Sequence, residues 1–225
     1  MKRDRLLVGA LSVVLAILST TSATALRVEF DDPGDIADWE LGPGATATVA
    51  DGKLELASGA LDSGIFFGKE EWTDYTMEVH ARKQEGTPYF HLFVRTQNPT
   101  QDFYFMELSY NSNTTSVFKM QGFVLTEITG GARPARPASK DAAGGDAYTL
   151  VFEVEGETLR TYIDGELMVE TADATYANGR PGLGGRDSTV WYDYVEINGP
   201  GIDTTPVAPG GKLAALWSDL KQRQR

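Results

Sequence analysis

Hydrophobic and polar residues alternate with a period of two along much of the chain. The clearest stretch is Tyr75–Arg82, which carries apolar residues at Tyr75, Met77, Val79 and Ala81 and polar residues at Thr76, Glu78, His80 and Arg82. Successive side chains of a β-strand point to opposite faces of the sheet. This alternation therefore predicts a strand with one buried and one solvated face.

Further segments have strand-like patterns: Val28–Phe30, a stretch around Ala47, Lys53–Ala57, Ile65–Phe67, Tyr89–Arg95, Phe103–Tyr110, Thr115–Met120, Val124–Thr129, Leu150–Glu155, Leu159–Ile163, Leu167–Glu170 and Val190–Ile197. Short turn sequences such as Asp51-Gly52 and Asp164-Gly165 separate them. Glycine in such turns adopts the positive φ that a two-residue hairpin requires. Many short strands without intervening helical patterns predict an all-β fold, an antiparallel two-sheet β-sandwich of the jelly-roll type.

The two ends of the chain differ from this pattern. Residues 1–25 combine a basic start, an apolar run at Leu6–Leu18 and a small-residue cleavage site at Ala23–Ala25, which predicts a secretory signal peptide. A retained membrane anchor is the alternative, but the run is shorter than a bilayer requires. We expect one β-sandwich domain over residues 26–200, a secreted or periplasmic location, and no integral membrane segment after signal removal.

A Pro- and Gly-containing linker is predicted over residues 201–211, followed by a short amphipathic helical tail over residues 212–225. Leu213, Leu216, Trp217 and Leu220 are spaced to form one apolar stripe on that helix. A helix this short is marginally stable alone, so we expect the stripe to contact either the sandwich or a protein partner.

Composition restricts the possible partners. The chain has no cysteine and a net charge of −12, and removal of the three basic residues and one acidic residue in the signal peptide changes that charge to −14. An acidic surface repels the phosphates of nucleic acids and anionic lipids, so we expect no nucleic-acid partner. Neutral sugars and divalent cations remain compatible with it.

One internal segment, Gly130–Gly145, has no periodicity and carries Arg133, Arg136 and Lys140. Loops of this length are uncommon in compact domains unless they are functional or disordered. The segment is therefore either a mobile basic excursion or a loop whose cations hydrogen-bond a polar or acidic ligand.

Several sequence pieces resemble the concanavalin A-like lectin/glucanase superfamily in its laminin-G-like bacterial branch. They are FDDPGDIADWE, VADGKLEL, FVRTQNPTQDFYFMEL, YIDGEL with YANGRPGLG, and VWYDYVEI, in this order between Val28 and Ile197. The resemblance implies a concanavalin A-like sandwich that contacts glycans. Members of this superfamily include sugar-binding modules and domains named 3-keto-disaccharide hydrolase, so binding and cleavage both remain open.

Candidate ligand-binding residues lie on two neighbouring predicted strands. Tyr89, His91 and Arg95 share one face of their strand, and Tyr104 lies on the next. Aromatic rings, Arg and His suit a glycan-binding surface. The same residue types could supply acid–base chemistry in a lyase, or could belong to ordinary packing.

No residue is predicted to be catalytic. Glucanases with the resembled fold carry Glu-x-Asp-x-Glu on one strand, and the nearest sequence here is Glu153-Val-Glu155-Gly-Glu157. Because Glu153 and Glu155 alternate with the apolar residues of their strand, they are interpreted as a solvated face. Cleavage by two opposed carboxylates has no matching motif.

Asp193 alternates with the apolar Val195 and Ile197, which predicts an inward-facing carboxylate that needs a cation or several hydrogen-bond donors. The resemblance suggests structural calcium, held with Glu29 and Asp31 near the first strand, and oxygen ligands suit this cation. A local bulge without metal is the alternative.

These observations predict a secreted, lectin-like, non-catalytic carbohydrate-binding domain that recognises a glycan on a curved sheet face. A glycoside hydrolase or polysaccharide lyase of the same fold is the alternative, and an envelope or matrix interaction protein is a further one.

Overall fold

The structure is a computed structural model that describes residues 25–109, 112–134 and 146–202, without the side chains of residues 83–88. The predicted signal peptide (apart from Ala25), most of the basic loop, the linker from residue 203 and the predicted tail helix lie outside the described residues. The tail stripe of Leu213, Leu216, Trp217 and Leu220 lies outside them too, so its predicted contacts stay a prediction.

The described residues form an all-β fold, as predicted. The strands are β1 Ala25–Val28, β2 Glu40–Leu41, β3 Thr46–Ala50, β4 Lys53–Ser58, β5 Ser63–Phe66, β6 Tyr75–Asn98, β7 Asp102–Ser109, β8 Thr114–Gln121, β9 Val124–Glu127, β10 Tyr148–Glu155, β11 Thr158–Ile163, β12 Glu166–Ala172 and β13 Arg180–Asn198. A single turn of 3-10 helix, Pro33–Ile36, is capped by the Asp32 carboxylate, which accepts a hydrogen bond from the Gly34 N–H. Within the described ranges, no helix is long and apolar enough to cross a membrane.

All strands join in one curled antiparallel sheet, whose central path is β12-β11-β10-β6-β13-β4-β3. The two long strands β6 and β13 pair along their whole length and belong to both halves of the sheet. Near its start β6 also pairs with β10, and near its end it pairs with β7, which continues to β8 and β9. The prediction of two separate sheets is therefore not confirmed, because these strands keep the hydrogen bonding continuous.

The β10 half of the sheet contains β10, β11, β12 and the first part of β6. The β7 half contains β7, β8, β9 and the last part of β6. One core cluster takes residues from both of them, including Met77, Val79 and Phe152 from the β10 half and Leu92 and Met106 from the β7 half. The predicted alternation along Tyr75–Arg82 is confirmed, since Tyr75, Met77, Val79 and Ala81 are all buried in this cluster. Burial of this apolar surface supplies the main stabilisation of the fold.

The opposite side of the β7 half, which we call the outer face, carries a second apolar cluster. It consists of Phe66, Phe93, Phe103 and Phe105, with Phe118 and Met120 packed against it. Along β6 and β7, the phenylalanines of this second cluster alternate with Leu92, Val94, Tyr104 and Met106, which lie in the first cluster. The β7 half is therefore apolar on both sides, and polar residues on its outer face stand out.

Strand β13 starts at Arg180, ten residues before the predicted strand Val190–Ile197. Its first part is rich in glycine, which sequence patterns associate with loops. The structure gives the reason for one of these glycines: a Cβ added at Gly184 would lie 2.2 Å from the carbonyl oxygen of Ser63. Gly184 therefore allows β5 and β13 to approach closely.

Candidate functional site

Five charged or titratable side chains meet on the outer face beside the phenylalanine cluster. Asp62 immediately precedes β5, His91 lies on β6, Glu107 on β7, Arg186 on β13, and Arg133 follows β9. Strand register explains the centre of this group, because His91 lies directly opposite Glu107 on the neighbouring strand. We call these five residues the charged cluster.

Carboxylates alternate with nitrogen-bearing groups through the charged cluster. His91 Nε2 lies 3.4 Å from Glu107 Oε2, and His91 Nδ1 lies 3.8 Å from Asp62 Oδ1. At one end Arg186 Nη1 lies 3.7 Å from Asp62 Oδ1, and at the other Arg133 Nη2 lies 3.9 Å from Glu107 Oε1. The sequence of groups is thus guanidinium, carboxylate, imidazole, carboxylate, guanidinium.

The centre of the charged cluster is buried and its ends are accessible. The His91 side chain has no exposed surface, Asp62 and Glu107 are each 9% exposed, and Arg186 and Arg133 are 33% and 40% exposed. A ligand that approaches the outer face therefore meets the guanidinium groups first. The carboxylates lie just beneath them.

Hydrogen bonding at the centre is incomplete. Asp62 Oδ1 and His91 Nδ1 are both buried without a hydrogen-bond partner. A neutral imidazole donates from only one ring nitrogen, so it cannot serve both carboxylates, whereas a protonated ring or an additional donor can. Buried polar groups are usually satisfied, and exceptions of this kind are typical of binding or catalytic sites.

Aromatic and hydroxyl side chains surround the accessible ends. The Arg186 guanidinium lies over the Tyr89 ring, with Cζ 4.3 Å from the ring centroid. Arg133 Nε donates to Ser116 Oγ at 2.7 Å and pairs with Glu127 Oε1 at 3.1 Å. Arg133 is one of the cations of the predicted ligand-facing loop, and it lies on this face. Arg136 and Lys140 lie outside the described residues.

Among the predicted ligand-binding residues, Tyr89 and His91 are brought together at the charged cluster. Arg95 is not on their face, because β6 has an irregularity after Val94 and Arg95 adopts a positive φ of 50°. Its guanidinium is 1% exposed and donates to the carbonyls of Thr73, Gly156 and Tyr176 and to the Asp74 carboxylate. The assumption that Arg95 shares a strand face with Tyr89 and His91 is therefore wrong.

Tyr104 also lies on the opposite side of the sheet from His91, since it pairs with the core residue Val94. It is buried, and its hydroxyl donates to Asp173 Oδ1 at 2.6 Å. Burial, together with this hydrogen bond, raises the pKa of Tyr104 to about 12. Lys119 Nζ pairs with the other Asp173 oxygen at 2.7 Å. These contacts anchor the connection between β12 and β13.

Asp193 does not face the core as predicted. A bulge between Tyr192 and Tyr194 interrupts the alternation, so the Asp193 side chain is 37% exposed and pairs with His80 Nδ1 at 2.6 Å. Glu29 pairs with Arg27 at 2.6 Å, and Asp31 is exposed. Within the described residues no group of three or more His, Asp or Glu is arranged to hold a metal ion. The contacts of Asp193, Glu29 and Asp31 therefore do not fit a shared calcium site. Calcium binding by this protein stays a prediction.

Sequence reasoning missed Asp62, Glu107 and Arg186. Glu107 had a usable signal, because it is the one acidic residue within β7 after Asp102 and its neighbours on both faces are apolar. Asp62 and Arg186 had none, since they come from a turn and a glycine-rich strand that only the three-dimensional fold brings beside His91.

The chain was compared with protein-family models and with curated proteins. Residues 27–198 match the family model of the 3-keto-alpha-glucoside-1,2-lyase-like domain. The chain has no match among curated proteins.

Solved structures with a similar fold include carbohydrate-binding and glycan-cleaving proteins. The carbohydrate binding module CBM66 from Bacillus subtilis is 21% identical over 72% of this chain and 95% of its own, with a TM-score of 0.61. A Bacillus subtilis protein of unknown function with a galectin-like fold is 16% identical over 79% and 96%, with a TM-score of 0.60. A Bacillus licheniformis beta-glucanase is 11% identical over 80% and 100%, with a TM-score of 0.56. At these identities the likeness concerns the fold alone, and this fold occurs in both binding modules and hydrolases.

Proposed function

The chain belongs to the 3-keto-alpha-glucoside-1,2-lyase-like domain family, and we propose that it binds a saccharide on the outer face of its β7 half. The observation that carries this proposal is the charged cluster, in which two accessible guanidinium groups lie over two nearly buried carboxylates. Sugar hydroxyls both donate and accept hydrogen bonds, so they can accept from Arg133 and Arg186 and donate to Asp62 and Glu107.

The ring of Tyr89 supports the same proposal. It lies beside His91 with ring centroids 6.5 Å apart and carries the Arg186 guanidinium on one side. An aromatic ring at the edge of a polar site can pack against the apolar face of a sugar, while the charged groups orient its hydroxyls.

Binding without cleavage is the preferred form of the proposal, because His91 has no exposed surface and cannot touch a bound sugar. We further propose that the two sheet halves pack against each other as a sandwich around their shared core, with the ligand-binding face outside. We also propose that the protein is secreted through its predicted signal peptide and that its partner is not a nucleic acid.

A lyase is the second candidate, favoured by the family match and by the paired titratable groups. In a 3-keto-glucoside the C2 proton is acidified by the neighbouring carbonyl, so a carboxylate can remove it. The electron pair then forms a C1–C2 double bond, and the aglycone leaves C1 and takes up a proton. Asp62 and Glu107 are the groups that would contact the sugar, and His91 would position them.

The test uses the full chain with methyl α-glucoside and methyl 3-keto-α-glucoside, with binding measured by calorimetry and methanol release by chromatography. We expect binding of at least one ligand, and a loss of about tenfold or more in Arg186→Met and Arg133→Met, the effect of removing a charge-assisted hydrogen bond. Arg160→Met is the matched control, because Arg160 is also ion-paired and lies on β11 of the other half.

Two results separate the candidates, and two others would contradict the site. Binding without release supports the binding function, and release that disappears in Asp62→Asn or Glu107→Gln supports the lyase. Equal affinity in wild type, Arg186→Met and Arg133→Met, or no binding of either sugar, would contradict the proposed site.

A further inference from the structure

The outer face continues beyond the charged cluster into an apolar surface that the saccharide site does not use. Phe118 and Met120 on β8 are half-buried, Leu125 on β9 is 44% exposed, and Phe123 at the β8–β9 turn is 72% exposed. Leu125 lies directly opposite Met120, so both side chains are on the outer face. We call Phe118, Met120, Phe123 and Leu125 the apolar strip.

The apolar strip is continuous with the charged cluster. Phe118 stacks on Phe105 with ring centroids 5.2 Å apart, and Phe105 lies 4.7 Å from the His91 ring. Glu127, which pairs with Arg133, lies directly opposite Phe118. Phe118 is two residues beyond Ser116 on β8, and Ser116 contacts Arg133, so the strip begins about 7 Å from the charged cluster.

The chemistry of the strip does not suit a second sugar. The side chains of the apolar strip are hydrocarbon or thioether, and Glu127 is the polar residue at its end. The neighbouring Lys119, Gln121 and Thr126 lie on the other side of the hairpin, because side chains alternate along each strand. A sugar placed there would lose hydration of its hydroxyls without gaining hydrogen bonds. An apolar group placed there would bury its own apolar surface and that of the strip, and removal of both surfaces from water favours binding.

The conformation of Phe123 is also costly. Gly122 and Phe123 have φ values of 55° and 68°, so the hairpin turn places a bulky aromatic residue in the left-handed region. This position favours Gly or Asn. An exposed ring held there at a conformational cost is typical of a functional contact.

We propose that the ligand is a glycoside with an apolar, aromatic aglycone, whose sugar occupies the charged cluster and whose aglycone lies along the apolar strip. This inference rests on the proposed saccharide function and specifies its ligand class. The distance from the charged cluster means that a phenyl aglycone reaches Phe118, whereas a biphenyl aglycone also reaches Met120 and Leu125.

The test compares methyl, phenyl and biphenylyl glycosides of the same sugar, α-glucose or 3-keto-α-glucose, with the full chain. Affinity is measured by calorimetry, or kcat/KM is measured if the aglycone is released. We expect affinity to increase in that order, with about a tenfold gain from methyl to phenyl, because one ring face is buried.

Leu125→Asn is expected to reduce the biphenylyl-to-methyl ratio. The matched control is Leu167→Asn, since Leu167 is 49% exposed on β12 of the β10 half and should leave the ratio unchanged. A ratio close to one in the wild type, or a ratio that Leu125→Asn does not change, overturns the inference while methyl glycoside binding still supports the saccharide site. Failure of all the glycosides to bind overturns both.

Discussion

Nε2 of His91 lies 3.4 Å from Oε2 of Glu107, and both side chains are buried beneath the outer face of the β7 half. Directly opposite residues on neighbouring strands are held at this separation by the register of β6 and β7. The pair is therefore part of the rigid sheet, and each of the two groups limits the cost of burying the other.

Removal of Glu107 should destabilise the fold because His91 would lose its partner in a buried position. We expect Glu107→Ala to lower the free energy of unfolding by about 2 kcal/mol. Glu107→Gln should lower it less, since the amide oxygen can still accept a hydrogen bond. Urea unfolding of both variants measures the difference, with Glu153→Ala as the control because its pair with Arg160 is more exposed. Equal losses in Glu107→Ala and Glu107→Gln would contradict this explanation.

Arg95 should be essential for stability and have no direct role in ligand binding. Its guanidinium donates to three backbone carbonyls and to the Asp74 carboxylate, and it is 1% exposed. Arg95→Ala would leave these acceptors without their donor, which costs about 3 kcal/mol or more.

Arg95→Lys should recover only part of this loss, because an ammonium group cannot reproduce the planar geometry of the guanidinium. Thermal and urea unfolding provide the measurement. A fully stable Arg95→Ala variant that has lost saccharide binding would restore the sequence-based prediction of a ligand contact.

The connection between β12 and β13 should make stability depend on pH through Asp173. Burial alone would raise the pKa of Asp173, but hydrogen bonds from Lys119, Thr175 and Tyr104 outweigh it and hold the pKa well below 3.8. Because the folded-state pKa is below the unfolded value, the ionised carboxylate stabilises the fold at neutral pH. That stabilisation is lost as the pH falls through the folded-state pKa.

Asp173→Asn should therefore lower the free energy of unfolding by about 2 kcal/mol at neutral pH. The difference from wild type should shrink as the pH falls below about 4. Unfolding curves measured from neutral to acidic pH test this, and a difference that stays constant at low pH would contradict it.

Local patterns were sufficient to predict most of the strands, but they missed β2, the middle of β6 and the first ten residues of β13. The alternation in Tyr75–Arg82 reports directly which side chains are buried, because a regular strand has a fixed period. The same assumption failed at Arg95 and Asp193, where the backbone irregularities reverse the side-chain direction. A two-residue period contains no information about such irregularities, so the predicted binding face was divided between two sides of the sheet.

The charged cluster could be predicted only in part. Tyr89 and His91 were identified because an aromatic ring and an imidazole suit a glycan-binding surface. Their partners Asp62 and Arg186 come from distant segments, and the pairing of β6 with β13 brings Arg186 opposite Tyr89. Single-sequence reasoning cannot determine this register, since many pairings of strands would bury the apolar residues equally well.

Phe123 should limit stability because of its conformation. Replacement by Gly or Asn, which tolerate a positive φ, should raise the free energy of unfolding by about 1 kcal/mol, since a bulky residue pays about that amount in the left-handed region. The side chain is 72% exposed, so little packing is lost in exchange. Melting temperatures of Phe123→Gly and Phe123→Asn test this, with Phe123→Leu as the control that retains the unfavourable conformation. If the Phe123 ring contacts the ligand, the stabilised variants should also bind the biphenylyl glycoside more weakly. A stabilised variant with an unchanged biphenylyl-to-methyl affinity ratio would mean that the ring makes no contact with the aglycone.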